Sequence, residues 1–460
     1  MPRLLIIGGD AAGMSAATSV RRAHPDVEIV VIERGPYTSY AMCGIPYYVS
    51  GEVDSPQELV AKTPQEFAAM NITVHLRTLA ETVDADAQTV RVVDLDRGAV
   101  RDEPYDQLLI ATGAHPQRPD IKGLEEFGFV VHTLDEGERV RRHLESTDRV
   151  RRAVVVGAGY IGMEIAEALV KRGIEATLVD RSPQVMKSLD PAMAAHVENA
   201  LADFGVRICL GESLLEVVGK DGSCVEVVTS KGTYPAEAVI LGMGGKPNLE
   251  VAVSAGCEVG PSGGLIVDEQ MRTTVANVWA AGDCVESKDL VAGLRRNVQL
   301  GTHANKQGKV AGANLIAVFG GGTPTAAFPG VVGTAVTKVC DWQIARTGLT
   351  EADANEAGID YELVRFEGSA RADYMDDPGT VFVSMMAERG SGRVLGAQLV
   401  GTGNVAKRID VAATWCHLGV TVQDAQLFDL SYAPPFGGVW DLLQVGARKL
   451  VVALGLEPIL

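Results

Sequence analysis

Ala153-Val154-Val155-Val156-Gly157-Ala158-Gly159-Tyr160-Ile161-Gly162-Met163-Glu164 is an apolar run that stops at a glycine-rich turn and continues into a helix-forming segment. Four apolar residues without alternation suit a strand buried on both faces. Gly157, Gly159 and Gly162 have the GxGxxG spacing. Such glycines permit a tight turn and let the backbone approach a pyrophosphate, which then sits on the N-terminus of the next helix. The segment Glu175-Ala176-Thr177-Leu178-Val179-Asp180 reads as a second strand ending in an acid. Strand, glycine turn, helix, strand and acid is the order of a dinucleotide-binding unit. Asp180 favours NADH, since a 2′-phosphate would meet a carboxylate; Arg181 beside it leaves NADPH open.

The same order occurs at the start of the chain. Leu4-Leu5-Ile6-Ile7 leads into Gly8-Gly9-Asp10-Ala11-Ala12-Gly13, a small-residue helix, Val27–Ile32 and then Glu33. Asp10 takes the place of the middle glycine. A carboxylate there is unwelcome beside phosphates unless its side chain turns to backbone N–H groups or water. Two such units imply two dinucleotides. Each is closed by an apolar run ending in small residues, Leu108–Gly113 and Val239–Gly245, and a further one ends in Gly282-Asp283. An Asp at a strand end can hold a sugar-chain hydroxyl.

The 460 residues are enough for two to four domains. A formal net charge of −18 disfavours a nucleic-acid partner, which requires a basic footprint. No apolar run is long enough for a membrane span, and the opening residues do not read as a signal peptide, so the cytoplasm is expected. The seven cysteines have no CxxC spacing, which gives no support to a zinc site or a thioredoxin-type dithiol; no metal is expected. Six read as packing residues. Cys43 lies in Thr38-Ser39-Tyr40-Ala41-Met42-Cys43-Gly44-Ile45-Pro46-Tyr47-Tyr48, among glycine, proline and aromatic residues shortly after the first unit.

Taken together, these residues resemble the two-dinucleotide flavoprotein disulfide reductases over the whole chain. The resemblance implies an α/β fold with two Rossmann-like dinucleotide-binding domains and a C-terminal α+β dimerisation domain. Residues 1–117 and 247–323 would form the FAD domain, 118–246 the NAD(P)H domain and 324–460 the dimerisation domain. For FAD it implies Gly8, Ala11, Gly13, Glu33, Arg34, Ala80, Ala111, Thr112, Gly113, Gly282, Asp283 and Ala304. For NAD(P)H it implies Gly157, Gly159, Tyr160, Ile161, Gly162, Glu164, Asp180 and Gly244. Tyr160 would cover the flavin, and Glu164 would help to place the nicotinamide.

Where many members carry a CxxxxC pair, the second position here is Tyr48. The chain therefore resembles the single-cysteine branch, which contains coenzyme A disulfide reductase, persulfide reductases, NADH oxidase and NADH peroxidase. The peroxidases carry a His at or beside Asp10, and this chain has none there. The tail Asp429–Phe436 with Val439-Trp440-Asp441 is similar to the coenzyme A disulfide reductases, in which a tyrosine (here Tyr432) reaches the partner's active site. Tyr374 resembles a second such tyrosine, although Met375-Asp376-Asp377-Pro378-Gly379 departs from the usual Tyr-Pro-Gly. Ser15, Arg22, Ser39 and Asn305 fall where the group binds coenzyme A, and Arg21 and Arg22 are suited to its phosphates.

The implied activity is reduction of coenzyme A disulfide, or a related small disulfide or persulfide, by NADH or NADPH through FAD. Cys43 would rest as a mixed disulfide with coenzyme A, and its thiolate would attack the next substrate. Gly-Ile-Pro-Tyr-Tyr reads as a helix start whose dipole favours that thiolate. Tyr432 and Tyr374 of a second copy in a homodimer would protonate the leaving thiolate. An NADH oxidase cycling Cys43 through a sulfenic acid is the alternative. A flavin redox sensor without turnover ranks below it.

Overall fold

The computed structural model describes residues 1–146, 150–220 and 222–457. The two apolar runs that precede the glycine turns become the central strands of two parallel five-stranded sheets. In the first, Arg3–Ile7 has Glu28–Ile32 and then Ile72–His75 on one side, Gln107–Ile110 and Val278–Ala280 on the other. In the second, Arg152–Val156 has Glu175–Asp180 and Arg207–Leu210 on one side, Ala238–Leu241 and Gly128–Val130 on the other. Strand order therefore reverses at each central strand. Both glycine turns lie at its carboxyl end, where open α/β sheets bind ligands. Each unit also carries a three-stranded antiparallel meander, over 78–104 and 214–235.

Five helices position the site: α1 (Ala11–Ala23), α2 (Ile45–Ser50), α3 (Leu134–Ser146), α4 (Tyr160–Lys171) and α5 (Gly301–Phe319). Small residues let α5 lie against α1. A Cβ on Gly308 would sit 2.3 Å from the Ala12 carbonyl oxygen, and one on Gly312 3.0 Å from Ala16 Cα. The chain crosses between the parallel units twice, and the crossing strands Ala114–Pro116 and Gly245–Pro247 pair antiparallel. Thr112 Oγ1 donates to the Asn248 carbonyl and Asn248 Nδ2 to the Thr112 carbonyl, each at 2.8 Å.

The third unit is an antiparallel five-stranded sheet, in the order Ala335–Val339, Trp342–Gly348, Val394–Gly401, Thr380–Glu388, Tyr361–Ser369. Helices Ile409–Leu418 and Leu442–Ala453 pack on it. Phe328 and Val331 still pack in the core of the first unit. The expected class, two Rossmann-like α/β units and a C-terminal α+β unit, is the one observed. Among the described residues, no helix is long and apolar enough to cross a membrane.

One packing relation is not visible in the chain order. The apolar face of α2 (Ile45, Tyr48, Val49) is buried in the core of the second unit, with Leu134, Val140, Leu144 and Met163.

Candidate active site

The Cys43 loop is strapped to the first glycine turn. Thr38 Oγ1 (2.5 Å) and Ser39 N (2.9 Å) both donate to the Gly9 carbonyl. Ala41 N donates to the Leu59 carbonyl at 2.7 Å, and Ala61 N to the Ser39 carbonyl at 2.8 Å. Met42–Gly44 forms a 3₁₀ turn that runs into α2, with Pro46 in the first helical turn, where a missing N–H costs nothing. A side chain on Gly44 would collide with Leu59 (2.3 Å to Cδ2), so this residue lets the turn close. Cys43 is the exposed cysteine; the other six are buried. Tyr48, at the second position of a CxxxxC pair, is buried beneath the Arg141 guanidinium, 4.5 Å from the ring centroid.

The sulfur reaches solvent, yet surrounding protein desolvates it enough to raise its thiol pKa above the ordinary value. Glu164, Asp283 and Asp10 add repulsion in that order. The expected helix start is present but only six residues long, and burial of the sulfur first, then the three carboxylates, acts against the thiolate that it was expected to favour. Glu164 projects from α4, accepts a 2.6 Å hydrogen bond from Thr337 Oγ1 of the C-terminal sheet, and is itself raised by burial. Tyr160 starts the same helix, and burial raises its phenol.

The first glycine turn forms a cradle. Gly8 has φ +111°, and a Cβ there would meet the Ala111 carbonyl at 2.0 Å; one on Gly13 would meet the Gly8 carbonyl at 2.0 Å. Helices α1 and α5 both begin without a side-chain cap. Gly282 (φ +91°) faces Ala12 and Ala304 between those helix starts. Asp283 Oδ1 is buried with no partner, and burial pushes its carboxyl up to about 6. Glu33 accepts from Gly9 N (2.7 Å) and Gly35 N (2.6 Å), with Arg34 exposed beside it. Gly113 turns at φ +65° after Ala111 and Thr112, and half-buried Ala80 packs on the first core. Burial and then Glu33 push the Asp10 carboxyl up to about 7, against the backbone N–H groups of Tyr40 and Ala11. Two uncapped helix starts and an orphaned acceptor fit the pyrophosphate and hydroxyl chain of FAD.

The second turn repeats the design. Gly157 has φ +107°, and a Cβ on Gly162 would sit 1.7 Å from the Gly157 carbonyl oxygen. Helix α4 follows Gly159, its N-cap, without a side-chain cap, with Ile161 half-buried in its first turn, and Gly244 turns at φ +82°. Asp180 accepts from Ala158 N and Ser182 N, each at 2.7 Å, which places its carboxylate at the strand end for a ribose. This set fits NAD(P)H.

The remaining candidates fall in two places. Ser15 Oγ donates to Asn305 Oδ1 at 2.9 Å across α1 and α5, Arg22 is exposed, and Ser39 lies in the Cys43 loop at φ +50°. Arg21 is not free for phosphate. Its guanidinium binds the carbonyls of His24, Pro25, Val27 and Asn71 at 2.5–3.0 Å. Tyr374 and Tyr432 meet on an exposed face of the C-terminal unit, where contact with Tyr432 raises the Tyr374 phenol. Among the described residues, no hydrogen bond joins either to the Cys43 loop. Thr337 escaped the sequence reading, because nothing local marks a threonine that braces a carboxylate on another unit.

Two dinucleotide cradles, the first tied to the loop of an exposed thiol, define a class, the flavin- and pyridine-nucleotide-dependent oxidoreductases. Comparison with known proteins makes this specific. Residues 2–308 match the pyridine nucleotide-disulphide oxidoreductase family and residues 334–442 its dimerisation domain. The chain belongs to that family and is an NAD(P)H-dependent flavoprotein oxidoreductase. It is 38% identical over 449 residues to the NAD(P)H sulfur oxidoreductase (CoA-dependent) of Pyrococcus abyssi, covering 97% of this chain and 98% of that one. It is 35% identical to the NADH oxidase of Methanocaldococcus jannaschii, covering 98% and 99%. The NAD-dependent persulfide reductase of A. fulgidus superposes with a TM-score of 0.92 at 39% identity, covering 97% of this chain and 82% of that one.

Proposed function

We propose that this enzyme uses Cys43 as its single redox sulfur to reduce coenzyme A disulfide or a related small disulfide or persulfide with NADH or NADPH. The observation that carries the reading is the position of Cys43. It is the exposed thiol, strapped to the first glycine turn and facing Glu164 of the helix that follows the second. Bound FAD supplies the transfer of two electrons from the nicotinamide to sulfur. The residues implied for it are Gly8, Gly13, Glu33, Gly282 and Asp283; those implied for NAD(P)H are Gly157, Gly159, Gly162 and Asp180.

The chain's own part is sulfur and proton chemistry. As a thiolate, Cys43 attacks one sulfur of the substrate, forms a mixed disulfide and displaces the other sulfur as a thiolate. Tyr432, with Tyr374, contributed by a second copy of the chain, gives that thiolate its proton. A raised thiol pKa makes the Cys43 thiolate a strong nucleophile and a poor leaving group. The raised thiol pKa supports a resting enzyme that carries coenzyme A on Cys43. Ser15, Arg22, Ser39 and Asn305 are the residues assigned to that ligand.

Intact mass before and after a reductant tests the reading. The expected result is loss of one coenzyme A moiety mapped to Cys43, together with a Cys43→Ser variant that keeps FAD but does not reduce coenzyme A disulfide. A Cys43→Ser enzyme working at the wild-type rate would sink it. A single extra oxygen on Cys43, with rapid NADH-driven oxygen uptake, would move the assignment to the oxidase chemistry for which the Methanocaldococcus jannaschii relative is named.

A further inference from the structure

Helix α2 follows Cys43 directly and belongs, by chain order, to the first unit, yet residues of the second unit hold it. Arg141 of α3 donates from Nη1 to the carbonyls of Tyr48 (3.1 Å) and Val53 (2.8 Å), and its guanidinium covers the Tyr48 ring. Arg172, which ends α4, donates from Nε to the Val49 carbonyl at 2.5 Å. One oxygen of Glu145 joins the two arginines, at 2.8 Å to Arg141 and 3.1 Å to Arg172. Both arginine side chains are only 17% exposed. The Glu145 side chain that joins them is 48% exposed, so its ion pairs are screened and the hydrogen bonds to the α2 carbonyls carry the hold. At the other end of the helix, Gly137 of α3 admits Ile45; a Cβ there would lie 2.5 Å from Ile45 Cγ2. The helix is thus gripped through its apolar face and its last carbonyls by the second unit, while Thr38 and Ser39 tie the preceding loop to the first.

We propose that Arg141 and Arg172, joined by Glu145, are positioning residues for Cys43 that make its helix part of the nucleotide unit. The sulfur then keeps a constant relation to Tyr160 and Glu164, which stand on the same α4 that Arg172 terminates. Neither arginine touches a reacting atom; both act through the backbone of α2. This proposal rests on the reading of Cys43 as the redox sulfur.

Arg141→Met and Arg172→Met, made singly in the full enzyme, test it by comparing two reactions of the same protein. Reduction of coenzyme A disulfide by NADH needs Cys43 in place; reduction of ferricyanide by NADH needs only the two cofactors. Disulfide reduction should fall on the order of tenfold or more, as expected when a reacting atom is displaced. Ferricyanide reduction and FAD content should stay within about twofold, since neither depends on the sulfur. The rate of Cys43 alkylation by iodoacetamide in the reduced enzyme should change, and amide exchange over residues 42–53 should accelerate. A parallel fall of both reactions would show a mere brace of the fold and overturn the proposal, as would two unaltered rates. Glu145→Gln keeps both arginines and guards against variants that do not fold; unaltered Cys43 alkylation in it would also count against the proposal. Cys43→Ser measured alongside separates the two claims. If it still reduces disulfides, the reading of Cys43 fails; if it is dead while the arginine variants are fully active, only the positioning role fails.

Discussion

In the proposed reaction Cys43 must become an anion, and burial, then the carboxylates of Glu164, Asp283 and Asp10, oppose that change. Of the three, Glu164 contributes the largest repulsion, after burial itself. Removing its charge lowers the cost of the thiolate, so Glu164→Gln should move the pH midpoint of Cys43 alkylation downward and speed alkylation at neutral pH. Iodoacetamide rates across the pH range check this; an unmoved midpoint would count against Glu164 as the dominant neighbour. Asp10 behaves in the opposite sense to a paired carboxylate. Its folded pKa, about 7, lies above the ordinary 3.8, so the folded state holds a proton that the unfolded state releases. Stability from this group is complete below about pH 4 and is lost as pH rises toward 7. Asp10→Asn should therefore gain thermal stability over the parent enzyme between those values and keep a constant advantage above them. Unfolding midpoints of both proteins from pH 5 to 8 provide the comparison. The sequence already singled out both residues, Cys43 by its glycine–proline setting and Asp10 by occupying a glycine's place. Glu164 was legible as a residue of the nucleotide helix, not as a neighbour of the thiol, because that contact joins segments far apart in the chain.

At the scale of elements, the first cradle depends on how closely α5 lies against α1. Gly308 and Gly312 bring the two backbones together, and their uncapped N-termini then flank Gly282 and Asp283. A methyl group on Gly308 would overlap the Ala12 backbone, an overpacking that costs about 1–3 kcal/mol in a well-packed core. Gly308→Ala should purify with less FAD and unfold at lower temperature, measured by flavin absorbance and by a thermal scan; full flavin content would show that the helices can part without harm to the cradle. The glycine turns and their strands were readable from local pattern, since period and punctuation are local properties. The packing partner of α2 was not. Six residues, Ile45 to Ser50, carry no signal of which core they join, and their place in the chain points to the wrong unit. The direction of the Cys43 pKa eluded the sequence for a related reason. A helix start is visible in a few residues, whereas the burial and the carboxylates that raise the thiol come from the folded surroundings.

For the whole molecule, the C-terminal unit presents Tyr374, Tyr432, Phe436, Val439 and Trp440 to solvent, with Phe436 and Val439 each 69% exposed. Grouped exposed apolar residues of this size mark an interaction surface, and because the unit matches a dimerisation domain we propose a second copy of the chain as its occupant. Phe436→Glu with Val439→Glu should convert the dimer to monomers in sedimentation and abolish disulfide reduction while NADH-driven ferricyanide reduction persists. A dimer that survives both charges would place the interface elsewhere. The sequence by itself determined the two nucleotide units, their order and the acids that end their strands, and it singled out the cysteine proposed here as the redox sulfur. All of these rest on spacing within short segments, where each glycine, strand and acid constrains its neighbours. Only the tertiary structure decided that Glu164, braced by Thr337, repels the thiolate, that Arg21 is spent on carbonyls, and that the second unit grips the helix of Cys43. Those relations depend on side chains meeting across three units. Contacts of that kind are selected by the complementary packing of whole surfaces, which no local pattern of residues encodes.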